Sequence, residues 1–204
     1  VGVMQGAFDF YRDLPGRPKH PERMFFALFP DGETAILAER CGQLFRSQHS
    51  LPGQPLLTER LHISLQMVGD YKRLRGKFLF AARQAAQAIV MRPFEVTLSG
   101  ISTFDETRPD WHPLVLLAEG HALRDLQRRL GVAMNGIGLH SADDFTPHMT
   151  LSYGPNTIRP REIEPIRFVV REFCLVHNER WLGRLGTYHL LERWPLMASA
   201  NFTG

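Results

Sequence analysis

The chain has 204 residues, of which 44% are hydrophobic, so it can bury the core of one domain or of two tightly joined lobes. No apolar run approaches the length of a membrane span and no signal peptide opens the sequence, so we expect a cytoplasmic protein with no membrane partner. The net charge of +3 suits an anionic ligand, and all but three of the 24 basic side chains are arginine, which binds phosphate through paired hydrogen bonds.

Seven strands and three helices are predicted along the chain. Short apolar runs bounded by Gly, Pro or Asp indicate strands, while apolar residues three and four positions apart indicate helices. In chain order these are a strand at 23–29, a helix at 34–45 capped by Asp31, a strand at 61–69, a helix at 72–90, strands at 94–104 and 114–118, a helix at 122–134, and strands at 146–154, 167–176 and 187–194. Residues 155–164 are predicted to be irregular or a short helix. This order favours an α+β fold over a doubly wound parallel sheet.

One folded unit with two loosely structured ends is predicted. Residues 1–22 mix Gly, Pro and charge without a period, which indicates a flexible extension, and 198–204 are predicted to be a tail. Residues 23–197 are predicted to form a single domain. Cys41 and Cys174 have no Cys-x-x-Cys partner, which favours two reduced thiols over a zinc module or a disulfide. No pattern demands a dimer, so we expect a monomer.

A repeated motif carries most of the functional information. His62-Ile-Ser64-Leu and His148-Met-Thr150-Leu each lie in an apolar strand pattern. Because residues i and i+2 of a strand point to the same face, each histidine shares a face with a hydroxyl while the intervening apolar residues enter the core. Two copies with the same alternation predict one site built from two halves.

The residue types in this motif suit phosphodiester chemistry. Opening a cyclic phosphate requires one group to deprotonate water and another to protonate the leaving ribose oxygen, and two imidazoles can do both near neutral pH. The hydroxyls of Ser64 and Thr150 could donate hydrogen bonds to the phosphate oxygens as negative charge builds on them. This chemistry requires no metal and no cofactor.

The sequence resembles the two-histidine phosphoesterase superfamily, in particular the LigT-like RNA 2′,3′-cyclic phosphodiesterases, often named 2′-5′ RNA ligases. The resemblance runs from about Glu22 to Leu196. It rests on the two signatures LHISLQMVGD and FTPHMTLSYG, with support from the opening strand RMFFALFP and the closing segments VREFCLVHNE and LERWPL.

This resemblance implies a bilobal, pseudo-two-fold α+β fold. Two antiparallel sheets would flank a central V-shaped groove, with helices on the outer faces. It also implies hydrolysis of an RNA or nucleotide 2′,3′-cyclic phosphate to a 2′-phosphate, with a possible reverse reaction that forms a 2′-5′ bond. His62 and His148 would be the catalytic pair, with His62 as acid and His148 as base, and Ser64 and Thr150 would hold the phosphate.

Three aromatic residues are weaker candidates for binding substrate. Relatives often have an arginine five positions after the second histidine, whereas this chain has Tyr153, which can stack or hydrogen bond but adds no charge. Phe25 and Phe26 open the first strand and face opposite sides, and we expect Phe26 to stack on a base and Phe25 to be core. Trp111 lies in a Pro-containing loop and could flank the groove.

The other histidines carry no paired motif. Surface or hydrogen-bonded core roles are expected for His112, His121, His140, His177 and His189. A metal site built from them would need ligands that the local sequence does not supply, so no metal site is predicted.

The sequence is also compatible with two alternative functions. The same histidine pair could act on a small cyclic nucleotide or on an ADP-ribose cyclic phosphate, and a weak salt dependence would distinguish these from RNA. Alternatively, the protein could bind RNA ends without turnover.

Overall fold

Nine strands and three α-helices make up the residues that the computed structural model describes, namely 19–104, 111–180 and 187–197. The strands are β1 (Glu22–Leu28), β2 (Gln54–Pro55), β3 (Ile63–Tyr71), β4 (Phe94–Thr103), β5 (His112–Glu119), β6 (His148–Gly154), β7 (Arg161–Val170), β8 (Glu172–Glu179) and β9 (Thr187–Pro195). The helices are α1 (Gly32–Gln48), α2 (Gly76–Gln87) and α3 (His121–Gly136), and a 3₁₀ turn spans Thr58–Arg60.

All strand pairs are antiparallel and follow the order β7-β4-β5-β6-β3-β1-β8-β9, with β2 added beside β6. The prediction of an α+β fold is confirmed. Two four-stranded halves meet where β3 contacts β6, and that junction consists of one residue pair, Ile63 with Met149. We call β3, β1, β8 and β9 the first half, and β6, β5, β4 and β7 the second half. Each half contains a strand–helix–strand unit whose second strand carries one of the repeated motifs.

Each helix of the repeated unit contacts the half of the sheet that does not contain its preceding strand. Asp31 caps α1 as predicted, because its carboxylate accepts a hydrogen bond of 2.8 Å from the Thr34 amide. Helix α1 follows β1 of the first half, but its Gly42 lies against Leu151 of β6 in the second half. Helix α3 follows β5 of the second half, but its Gly131 lies against Gln66 of β3 in the first half. The two helices therefore connect the halves behind the sheet.

The buried amide of Gln66 adds polar contacts to this connection. Its Nε2 donates to the carbonyl oxygens of Gln127 on α3 and Ala142, at 3.3 and 3.1 Å, and its Oε1 accepts from the Ala142 amide at 2.9 Å. Ala142 lies in the loop that leads into β6. Gln66 thus ties β3 to the segment that delivers the second motif.

The prediction of a single strand at 167–176 is wrong. Two strands, β7 and β8, are separated at Arg171 and lie in opposite halves of the sheet, where β7 pairs with β4 and β8 pairs with β1. Strand β7 also includes 161–164, which were predicted to be irregular or part of a short helix. Pro165 is tolerated because β7 is an edge strand, which needs hydrogen bonds on one side only.

The apolar residues of α1 that predicted the helix do not all face the core. Ile36, Leu37 and Leu44 are 44%, 51% and 63% exposed, whereas Ala35 and Ala38 are buried. Small residues face the sheet here because the helix approaches it closely at Gly42. In α3, by contrast, the apolar side chains of Leu123, Leu126 and Leu130, spaced three and four residues apart, are all fully buried.

The predicted domain boundaries fall only partly within the residues that the structure describes. Strand β1 begins at Glu22, and Leu196 is buried in the core. Residues 1–18 and 198–204, predicted to be an extension and a tail, lie outside the described residues. No helix in the described ranges is both long enough and apolar enough to cross a membrane.

Gly154, at the end of β6, offers a test of packing beside the second motif. An added Cβ would overlap the backbone carbonyl oxygen of Pro52, and backbone cannot rotate away as a side chain can. We therefore expect Gly154→Ala to lower the free energy of unfolding by roughly 1–3 kcal/mol, measured by urea denaturation. Gly76→Ala is the control, because open space surrounds that position at the start of α2. Equal stability of the two variants would contradict this account of the packing.

Candidate active site

The two motif histidines lie at the junction between the halves. His62 immediately precedes β3 and His148 begins β6. The next residue of each strand, Ile63 and Met149, forms the one register pair that joins the halves. Both intervening residues are fully buried, as the alternation predicts. Two histidines remote from each other in the chain are therefore brought to one place by this strand pair.

A cavity of about 460 Å³ opens on the face of the sheet opposite the helices, and both motifs line it. His62, Ser64, His148 and Thr150 all border this space, so the structure brings together the four residues that the repeated motif singled out. Tyr153 borders it as well. Further lining side chains come from both halves, namely Arg23, Phe25, Leu56, Arg60, Met67, Trp111, Asn178, Arg180 and Tyr188.

The two imidazoles are held by the same hydrogen bond. Nδ1 of His62 lies 2.6 Å from the carbonyl oxygen of Arg60, and Nδ1 of His148 lies 2.7 Å from that of Thr146. A carbonyl only accepts, so each Nδ1 carries the proton that it donates. In the neutral ring the lone pair is then on Nε2, which is the atom left to exchange a proton with a ligand.

His62 is the more enclosed of the two rings. The ring centroids of Phe25, Phe29 and Tyr188 lie 5.3, 5.7 and 5.6 Å from its own. This burial lowers the pKa of His62 to about 4, against the opposing effect of the hydrogen bond to Arg60, and the nearby His148 and Arg60 charges lower it further. The charged form of His148 disfavours the charged form of His62, so protonation of the two rings is coupled.

His148 is less surrounded and keeps part of its surface accessible. The ring of Phe104 lies edge-on to it with a centroid distance of 4.7 Å. Burial lowers the pKa of His148, opposed by the hydrogen bond to Thr146. Burial therefore favours the neutral form of both imidazoles.

Within the part of the chain that the structure describes, three arginines line the cavity and make it positively charged. Arg60 is buried beside His62, and its guanidinium lies 4.0 Å from the centre of the Tyr188 ring. Arg23 makes two hydrogen bonds of 2.7 Å to Asp70, and Arg180 makes one of 3.0 Å to the same carboxylate. Burial raises the pKa of Asp70, but Arg23 and Arg180 lower it more strongly, so the pKa stays below its usual value. Asp70 thus orients two of the three cations along the cavity.

The sequence reasoning missed these cavity arginines. Arg60 lies two residues before His62, but it belongs to the 3₁₀ turn and not to β3, so strand alternation does not predict its position. Arg23 of β1 and Arg180, which follows β8, were not predictable either, because only the strand order β3-β1-β8 brings them near the motif strand.

The choice of Phe26 as a groove residue is wrong. Phe26 is fully buried on the helix side, where its ring lies 6.1 Å from that of Phe173 and 6.0 Å from that of Trp194. Phe25 lies on the cavity side instead. Alternation correctly separated the two residues, but it could not say which face of β1 belongs to the core.

Trp111 and Tyr153 form an aromatic wall on the second half. Their rings are stacked, with centroids 4.9 Å apart and planes 14° apart. Both border the cavity, and Trp111 is 38% exposed. The wall therefore presents an aromatic surface beside the histidine pair.

A family model described as the 2′-5′ RNA ligase superfamily matches residues 37–180, which include both motifs. The chain belongs to this superfamily. The prediction of a LigT-like family is therefore confirmed, and the activity class is that of enzymes acting on phosphodiester bonds. No curated protein matches the chain closely enough to count as a relative.

Several solved structures share the fold of this chain over almost their whole length. TT0787 of Thermus thermophilus superposes with a TM-score of 0.68 at 22% identity, covering 87% of this chain and 99% of that one. E. coli LigT in its apo form gives a TM-score of 0.64 at 26% identity with the same coverage. E. coli LigT complexed with 3′-AMP gives 0.63 at 25% identity, again with the same coverage.

Proposed function

We propose that this superfamily member hydrolyses 2′,3′-cyclic phosphates at RNA or nucleotide ends, leaving a 2′-phosphate. The observation that carries the proposal is the pair of imidazoles at the β3–β6 junction, each with Nδ1 fixed to a carbonyl and a hydroxyl two residues further along the strand. The likeness to LigT, which has been solved with 3′-AMP, supports a nucleotide as ligand.

The proposed step needs two proton transfers on opposite sides of the phosphorus. One imidazole takes a proton from water as the water oxygen bonds to phosphorus. The other gives its proton to the 3′ oxygen as the bond from phosphorus to that oxygen breaks. The products are a 2′-phosphate and a 3′-hydroxyl, and the two imidazoles have exchanged protonation states. With an RNA 5′-hydroxyl in place of water, the same step would form a 2′-5′ bond.

Neighbouring groups would stabilise the charge that develops during this step. The hydroxyls of Ser64 and Thr150 would donate to the non-bridging oxygens, and the Arg60 guanidinium supplies fixed positive charge on the same side. Tyr153 and Trp111 would offer their stacked surface to a base.

Our order of roles, His62 as acid and His148 as base, places a condition on substrate binding. A ring with a pKa of about 4 is neutral at pH 7, so the acid must gain its proton as the substrate binds. A bound phosphate anion raises the pKa of an adjacent imidazole. The pKa of His62 is lowered mainly by burial and less by neighbouring charges, so the anion can oppose this effect.

The direct test uses an RNA oligonucleotide that ends in a 2′,3′-cyclic phosphate, with a chelator present throughout. We expect turnover in the presence of the chelator, because both proton transfers are assigned to side chains. The product should be a 2′-phosphate, identified by phosphorus NMR, because the proposed step breaks the bond from phosphorus to the 3′ oxygen. A 3′-phosphate product would contradict the proposed cleavage of the 3′ bond. Tight binding of the end without turnover of any cyclic phosphate would instead support a binding module. A panel with small cyclic nucleotides and an ADP-ribose cyclic phosphate, run at two salt concentrations, separates RNA from small substrates.

The depressed pKa values predict an unusual pH profile. The active form carries one proton on the coupled pair, so kcat/KM should be bell-shaped. Because both pKa values are lowered, the alkaline limb should fall below pH 6.5, and the acid limb should lie near pH 4, where His62 also becomes charged. The bound anion should move the kcat profile to higher pH. An optimum of kcat/KM above pH 7 would contradict the burial of these rings.

A further inference from the structure

A second cluster of histidines and carboxylates lies on the opposite face of the first half. The register of β8 and β9 places His177 directly beside His189, and the register of β1 and β8 places Glu22 beside Glu179. Since His177 and Glu179 are two residues apart on one strand, all four side chains share a face. The sequence reasoning found no metal ligands around these histidines because the partners come from three separate strands.

The four side chains already hold short distances. Nε2 of His177 lies 2.9 Å from a carboxylate oxygen of Glu22, and Nε2 of His189 lies 3.3 Å from one of Glu179. The candidate donor atoms of His177, Glu179 and His189 all lie within 4.8 Å of one another. Ligand atoms ~2.0–2.1 Å from a tetrahedral zinc ion are ~3.3 Å apart. The contact of His189 with Glu179 already has this spacing, and the hydrogen bond of His177 with Glu22 would lengthen slightly around an ion.

We propose that Glu22, His177, Glu179 and His189 bind one Zn²⁺ ion. Two imidazole nitrogens and two carboxylate oxygens are a donor set that zinc accepts, and two carboxylates balance the charge of a divalent cation. Two glutamates directly opposite each other across a strand pair repel, and a shared cation removes that repulsion. The ligands come from β1, β8 and β9, so the ion crosslinks three neighbouring strands.

The position of this site gives the ion a structural role in the cavity wall. Neighbouring residues of a strand point to opposite faces, so His177 and Glu179 alternate with Asn178 and Arg180, and His189 follows Tyr188. Those three neighbours line the cavity at the histidine pair. The zinc ion therefore lies behind the wall, where it fixes the strands that carry cavity residues and takes no part in proton transfer.

The test measures zinc binding to the chelator-stripped full chain by competition with a chromophoric chelator. We expect one Zn²⁺ per chain, loss of at least ~100-fold in affinity for His189→Asn and for Glu179→Gln, and unchanged affinity for His121→Asn. His189 is well exposed, so its substitution should leave the fold intact. Saturation with Zn²⁺ should raise the melting temperature of the wild type by roughly 5–10 °C and leave that of His189→Asn unchanged.

The histidine pair in the cavity is the competing zinc ligand, and a double variant excludes it. His62→Ala/His148→Ala should keep full affinity for Zn²⁺, and its Co²⁺ form should show the intense visible absorption of tetrahedral coordination. Loss of binding in this double variant would overturn the proposal, as would equal affinity of the wild type and His189→Asn. Absence of any binding would also overturn it, and would show that contacts within the protein hold these side chains without a metal ion.

Discussion

Replacing either His62 or His148 by alanine is expected to lower the rate of cyclic phosphate hydrolysis at least ~10²-fold, the scale on which a general acid or base contributes. The two rings act in one step, so the double variant should lose little more than the single variants. Single-turnover kinetics with a cyclic-phosphate RNA end give the rate of the chemical step. Retention of more than a tenth of the wild-type rate by either single variant would exclude that histidine from proton transfer.

Two comparisons sharpen this experiment. His121→Ala removes an exposed imidazole at the start of α3 and should leave the rate unchanged. A nucleoside phosphodiester with a p-nitrophenolate leaving group needs no protonation of that group, so only the base variant should lose its rate on it. Our order of roles predicts that His62→Ala retains activity on this substrate and His148→Ala does not. If His148→Ala retained activity on this substrate and His62→Ala did not, the two roles would be exchanged, and both histidines would remain the catalytic pair.

Removing the two motif hydroxyls should produce the second largest loss. Thr150→Val keeps the shape of the side chain but deletes the donor, and Ser64→Ala does the same with a small change in volume. We expect each to reduce kcat roughly 10²-fold with a small change in KM, because the hydrogen bonds strengthen as charge develops on the phosphate. Steady-state kinetics on the same cyclic-phosphate substrate separate the two constants.

Thr97→Val is the matched control for the hydroxyl variants. Thr97 is a half-buried threonine in the middle of β4, and it does not border the cavity. Its substitution should leave both constants unchanged. A rise in KM with constant kcat for Thr150→Val would show that the hydroxyl binds the ground state only, and would remove it from the proposed stabilisation.

The sequence predicted those features that depend on neighbours along the chain. The alternation through His62 and His148 predicted which side chains share a face, and Asp31 predicted the start of α1. The side of β1 that faces the core was not predictable, because Phe25 and Phe26 are equally apolar and only the position of the helices distinguishes their environments. The break at Arg171 was missed because the apolar pattern continues across it, although the chain there passes from one edge of the sheet to the other half.

Contacts between distant strands account for the rest of what was missed. The arginines at 23 and 180 reach the cavity through the order of strands, and the cluster at 177 and 189 forms through hairpin register. Neither the order of the strands nor the register of the hairpin can be read from the local composition or residue spacing of the sequence. Pairing information of that kind enters only when the sheet is assembled.

The helix crossings behind the sheet bear on how substrate range could evolve. One residue pair joins the halves beside the imidazoles, so the backbone ladder alone constrains their separation weakly. The contacts of Gly42 with Leu151, and of Gly131 with Gln66, supply the remaining constraint from the rear. Homologues with the same reactive groups would accept phosphodiesters of different bulk if they differ at these remote positions. Selection for a new ligand can thus act on residues that never touch it.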